Sequence, residues 1–324
     1  MAAAQTSPSR SIKQQSADIL TQWESGTLTY QEAIGQLIAL KGEVSHEGRL
    51  EDEAFLESRI GVIEGYRGNY ATGIAHFERA RDLYLSANDP RQVVTCNLNI
   101  GETYRLKGNF SRALQYFRIG YEAALELGDR ELQVMARANE SQMMMSQGHV
   151  TQAEETLREC YGLCETPFPV PAGSTPESIA RAQLDQRADI TQALTSIYLK
   201  QGRIDDAWHF AKESYLLATE LGTDLRLGFA YRALAEVITD LPTASGAHFE
   251  SDPDIYFTDS VARFKAVNAE GEMARTLYAQ GCSLGKRGRS TLAARKLHQA
   301  MIIFSRLGMV DDAARAAEEQ LRLM

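Results

Sequence analysis

The chain has 324 residues with 34 basic and 43 acidic side chains, a net charge of −9 at pH 7. That balance argues against nucleic acid as a ligand, because a phosphate backbone calls for a basic stripe. No stretch approaches the ~18 apolar residues of a membrane span. Four cysteines (Cys96, Cys160, Cys164, Cys282) are too few for a disulfide framework, so reduced thiols in a cytoplasm are expected.

Residues 1–10 (MAAAQTSPSR) lack the charged-then-apolar order of a signal peptide and are expected to form a disordered tail. Beyond them helix is expected nearly throughout. There are only eight prolines, and Pro167, Pro169, Pro171 and Pro176 share one window. Residues 11–47 read as a divergent N-terminal helix pair whose second helix carries Tyr30, Ala33, Leu37 and Leu40.

Over 48–308 one pattern recurs around the turn glycines Gly68, Gly108 and Gly148, spaced 40 residues apart, and then around Gly202 and Gly288. Seven residues before the turn stand Gly61, Gly101, Ser141, Thr195 and Gly281. Nine residues after it stand Phe77, Phe117, Leu157, Ala211 and Leu297. A small residue lets a neighbouring helix approach, and the large one fills the gap beside it. The spacing between Gly148 and Gly202 carries 14 extra residues, which places an insertion at 165–177. A second insertion, of six residues within 242–253, interrupts the sixth pair, and Asp252 or Asp254 is expected to cap the helix that follows. Leu-Gly at 127–128 and 307–308 reads as a helix stop. Residues 309–324 read as a solitary capping helix over the last apolar face. No hairpin signal occurs, so the fold is expected to be all-α: seven helix pairs and a cap.

The segment NLNIGETYRLKGNFSRALQYFRIGYEAALELGD (97–129) resembles the tetratricopeptide repeat, with Gly101, Tyr104, Gly108, Phe110, Ala113 and Phe117 at the signature places. The 40-residue period and the Leu-Gly-Asp linkers are similar to the kinesin-light-chain and Leu-Gly-Asn-type variants, and to bacterial signalling proteins of the same build. One departure is Glu64, which stands where Tyr104 and Tyr198 stand in other repeats. The resemblance implies a right-handed α-solenoid of about seven helix-turn-helix repeats, with a concave groove used to bind peptides or partner proteins.

In such a stack the first helix of each pair lines the groove, at positions thirteen, ten, nine, six and three before the turn glycine. Asn99 and Asn139 are then the first candidates to contact a ligand, since each amide offers a donor and an acceptor to an extended backbone. Arg59 and Arg105 can each meet a carboxylate with two hydrogen bonds. Glu102, Gln142, Arg232 and Arg275 fall on equivalent faces, Met135 and Met145 supply adaptable apolar contacts, and Phe55, Phe229 and Tyr278 supply aromatic ones. Within the Met143–Met145 run, Met144 is expected in the core.

Signals for an enzyme, a metal or a cofactor are lacking. Cys160 and Cys164 share a helix face, but Cys160 fills a small-residue repeat position and no histidine lies at ligand spacing. The sequence GCSLGKRG has the wrong spacing for a phosphate loop. Asp252, Asp254 and Asp259 lack the glycine and terminal glutamate of a calcium loop. The leading expectation is a non-enzymatic adaptor, monomeric or weakly self-associating through its terminal helices, that holds a peptide or protein segment in the groove. The alternative is a ligand-responsive regulator, similar to bacterial peptide-pheromone receptors, whose superhelix tightens on binding.

Overall fold

The computed structural model describes residues 11–171, 174–241 and 249–323; the expected tail and part of each insertion lie outside them. Among the described residues there are fifteen α-helices and no strand. The pairs are α1 (Ile12–Glu24) with α2 (Tyr30–His46), α3 (Leu50–Arg67) with α4 (Tyr70–Ser86), α5 (Pro90–Leu106) with α6 (Phe110–Leu127), and α7 (Arg130–Ser146) with α8 (Val150–Leu163). Three more follow: α9 (Pro176–Lys200) with α10 (Ile204–Leu221), α11 (Asp224–Asp240) with α12 (Pro253–Ala266), and α13 (Glu270–Lys286) with α14 (Ser290–Arg306). The unpaired α15 (Val310–Arg322) ends the stack. The chain is a right-handed α-solenoid of seven pairs with a capping helix.

Local chemistry sets these boundaries. Thr29, Asp89, Asp129, Thr175 and Asp252 each accept a backbone N–H at the start of the following helix. At the C-terminus of α6, Gly128 takes φ 64°, a left-handed conformation that costs glycine nothing. Asn88 and Asn268 adopt the same region at two other joins.

The repeat pattern has a packing cause. A Cβ on Gly61 would sit 2.9 Å from the Phe77 ring, one on Gly101 2.7 Å from Phe117, and one on Gly281 2.7 Å from Leu297. The residue seven before the turn is therefore the floor under the side chain nine after it. Where the floor grows to Ser141 or Thr195, the opposing residue shrinks to Leu157 or Ala211, conserving volume in a close-packed interior. The departure at Glu64 is met from two sides: the Tyr30 hydroxyl of the preceding pair donates to the Glu64 carboxylate at 2.7 Å, and Asn69 in its own turn donates at 2.6 Å. In the methionine run it is Met143 that is fully buried; Met144 is only half-buried, because the helix turns it toward the next pair.

The described parts of both insertions fold back onto the array. Phe168 is buried beside Cys164 and Ile179, and its backbone N–H donates to Gln183 at 3.0 Å. Phe249 packs edge-on against Trp208, with ring centres 5.1 Å apart, and against Tyr215 on α10.

The superhelix closes on itself. Phe264, Val267 and Ala269 from the sixth pair and its join share one core with Trp23, Leu37 and Ile60 from the first two pairs. Tyr70 and Leu106 likewise join Leu277, Phe304 and Met309. Along this seam the Arg275 guanidinium donates to the Leu106 carbonyl at 2.8 Å.

Candidate functional site

Closure turns the concave face into a row of cavities that share lining residues. The central one, about 310 Å³, is walled by α3, α5, α7, α9, α11 and α13, so six consecutive pairs each supply their first helix. Asn99, Glu102, Arg105, Met135, Asn139, Gln142, Met145, Arg232 and Arg275 all line it. Of the other two candidates, Arg59 lines a cavity of about 450 Å³ nearer the N-terminus, bounded by α1, α3, α5, α9 and α11. Tyr278 lines one of about 570 Å³ walled chiefly by α9, α11, α13 and α15. Asn99, Asp185 and Arg226 border both the first and the central cavity; Gln192, Ser196 and Arg232 border both the central and the last.

The charges of the central cavity satisfy one another. The Arg105 Nε donates to Glu102 at 2.7 Å, and Arg226 is held by Asp185 and Asp189 together. Arg232 donates to Glu272 at 2.8 Å, and Arg275 reaches the same carboxylate. Burial pushes the Glu272 carboxyl up, but Arg275, Arg232 and Arg105 outweigh it and bring the group down to about 2. At Asp189 burial prevails over Arg226 and raises the carboxyl above its usual range. Arg105, Arg232 and Arg275 are thus already committed to partners within the protein.

The uncommitted groups are amides. The side chains of Asn99, Asn139, Gln142 and Gln192 bond to no other described residue and face this cavity. Gln186 donates to the Glu131 carbonyl at 3.2 Å, while its own buried Oε1 has no partner. Phe229 borders the cavity with its ring edge-on to Phe264 at 5.0 Å, so it packs between repeats and faces the interior at once. Phe55 lies under the Arg59 guanidinium, 4.4 Å from ring centre to Cζ.

Asp185, Asp189, Gln192 and Arg226 line the central cavity as well, beyond the residues expected from the repeat. Asp189 and Gln192 stand thirteen and ten residues before Gly202, so the spacing rule reaches them. Arg226 falls in the interrupted sixth pair, where no turn glycine sets the register. The cysteines of α8 are buried, and burial pushes the thiols of Cys160 and Cys164 up to about 12 and about 11. Among the described residues no group of His, Cys, Asp and Glu could hold a metal ion, and no helix is long and apolar enough to cross a membrane.

Paired helices of this length, with a small residue under each large one and a polar inner layer, define an array of tetratricopeptide-type repeats. Residues 52–126 match the tetratricopeptide repeat family model directly. Among curated protein sequences none matches the chain. The fold is similar to that of the Rap conjugation gene regulator of plasmid pLS20 in complex with the Phr* peptide. That match has a TM-score of 0.65 and 16% identity, and covers 97% of this chain and 82% of the other. It is also similar to a Rap protein complexed with Competence and Sporulation Factor (TM-score 0.61, 15% identity, 91% and 72% covered). A third similar structure is the apo form of RapI (TM-score 0.55, 12% identity, 90% and 93% covered).

Proposed function

We propose that the protein binds an extended peptide, or an unfolded segment of a partner protein, in the central cavity and acts without catalysis. One observation carries the reading: four unbonded amides face a cavity whose charges are already paired. Such a lining favours backbone over charged side chains, since each peptide group brings one N–H and one carbonyl for an amide to match. Met135 and Met145 adapt to the side chains between. A preformed wall lowers the ordering cost of capture. The Phr* peptide in the similar pLS20 regulator supports the choice of ligand class. The absence of disulfides among its cysteines fits work in the cytoplasm.

A peptide-responsive regulator is the second reading, and the seam favours it. The second and third pairs meet the last one around the cavity, so an occupant that enters there must part the contacts between Tyr70, Leu106, Arg275 and Met309. Occupancy and superhelix shape are then linked, and a partner reading the outer face senses the change.

The test is to equilibrate the full chain with a random pentapeptide library and measure retention by wild type, Asn99→Ala and Asn139→Ala. Retention by wild type that falls at least tenfold in both variants, at unchanged melting temperature, supports peptide capture. Equal retention by all three removes the assignment. Solution scattering with a retained peptide separates the readings, since a passive adaptor keeps its radius of gyration and a regulator changes it.

A further inference from the structure

The capping helix presents an apolar face that none of the described residues covers. Its inner side is held by Ala313 and Ala316, which share a core with Ala300 and Phe304 of α14. On another side Val310, Ala314, Ala317 and Leu321 recur at intervals of four, three and four residues, which sets them in one stripe along α15. Val310 is 74% exposed and Leu321 69%, and Ala314 is exposed between them.

The repeat gives this stripe a counterpart. Each residue of α15 stands forty positions after its equivalent in α13, so Ala314, Ala317 and Leu321 match Ala274, Leu277 and Gly281. Those three lie under α14: Ala274 and Leu277 are buried in a core with Ala300 and Phe304, and a Cβ on Gly281 would sit 2.7 Å from Leu297. One position of α15 departs from the rule. Seven before the turn, the second to seventh pairs carry Gly61, Gly101, Ser141, Thr195, Ala235 and Gly281, whereas α15 carries Leu321. A large side chain there occupies the space that the second helix of an ordinary pair needs.

The stripe is instead complementary to itself. Turned end for end, a second α15 sets Ala314 against Ala317 and Val310 against Leu321. Small residues then meet in the middle, where they let the axes approach, and larger ones meet at both ends. The charges along one edge agree, since Asp311, Arg315, Glu318 and Arg322 alternate in sign. In this register Arg322 of one copy lies about 3 Å along the axis from the level of Asp311 of the other, at about 1.5 Å rise per residue. Asp311 forms no ion pair with a described residue, and Arg322 pairs with Glu319 of its own helix.

We propose that α15 is a homodimerisation surface, on which two copies pack antiparallel about a two-fold axis between Ala314 and Ala317. An isologous contact of this kind closes at two. Two helices of 13 residues bury less than the ~1,200 Å² of a standard interface, so the dimer is weak, forming at about 10–100 µM chain.

Sedimentation velocity on the full chain, from well below to well above that range, reads the association. Wild type is expected to pass from monomer to dimer. Leu321→Asp is expected to weaken the dimer at least about tenfold, at an unchanged melting temperature because the side chain is exposed. Asp311→Arg and Arg322→Asp each set like charges against one another and are each expected to weaken it alone. Mixed in equal amounts they are expected to form a heterodimer, since every crossed pair is then opposite in charge. A helix merely damaged by either change gains nothing from mixing. Wild type that stays monomeric throughout overturns the proposal and leaves the face to a partner helix. A mass that grows beyond two overturns it in favour of a head-to-tail contact. Variants that fail to complement on mixing overturn the antiparallel register.

Discussion

The Tyr70 hydroxyl donates a hydrogen bond to the Met309 sulfur at 3.3 Å, joining residues 239 positions apart in the chain. Tyr70 opens the second helix of the second pair, and Met309 sits at the join to the capping helix. In an open stack each repeat contacts only its neighbours, and a lesion at one end frays that end alone. Here the two ends share a core, so a lesion at one is felt at the other.

Met309→Ala tests this coupling. Met309 is fully buried against Tyr70 and Leu277, so truncation is expected to cost about 2–5 kcal/mol. Hydrogen exchange should quicken in α3 and α4 as well as in α14 and α15. Faster exchange confined to α14 and α15 would show that the seam carries no stability.

Gly101 and Phe117 test the packing rule. Gly101→Ala forces a methyl group against the Phe117 ring and is expected to cost about 1–3 kcal/mol by urea denaturation. The double change Gly101→Ser with Phe117→Leu copies the natural Ser141–Leu157 combination of the next pair. It should recover most of that loss; no recovery would mean the two positions do not trade volume.

Acid should loosen the cavity through Glu272. Its carboxyl is lowered in the folded state to about 2, from an ordinary value of 4.5. A lowered group stabilises fully above its unfolded value and loses that contribution as the pH falls through its folded one. The stability gap between wild type and Glu272→Gln is therefore expected to shrink between about pH 4.5 and pH 2. Near neutrality the substitution leaves Arg232 and Arg275 buried without their carboxylate and should cost about 3–5 kcal/mol. A gap that stays constant with pH would remove Glu272 as the titrating group.

Phe249→Ala tests how the second insertion is held. The chain has two tryptophans, and Trp23 is fully buried in the first pair. Losing the Phe249 ring should expose Trp208, shift its emission to the red and cost about 0.5–1.5 kcal/mol. Unchanged emission would place the anchor of this segment elsewhere.

Much of the fold is legible in the sequence because a solenoid is built from local contacts. Gly68, Gly108 and Gly148 mark turns wherever they occur, and Gly101 needs only the helix sixteen residues on to explain it. Seven pairs, the capping helix and the cap at Asp252 follow from such short-range chemistry, as does the set of inward positions that brings Asn99, Asn139, Gln142 and Met145 to one cavity. Closure is not written at that range. Tyr70 meets Met309, and Arg275 meets Leu106, only because small rotations between pairs add up over five repeats to bring the ends together. Charge pairing has the same origin. Arg59 and Arg105 both stand at inward positions of a first helix, yet Arg105 finds Glu102 three residues away while Arg59 has no ion-pair partner among the described residues. The repeat, its helices and the face that points inward are legible in the chain alone, since these depend on neighbours within about forty residues. The tertiary structure decided that this face is enclosed and which of its polar groups stay free, because both depend on the accumulated twist of the whole array.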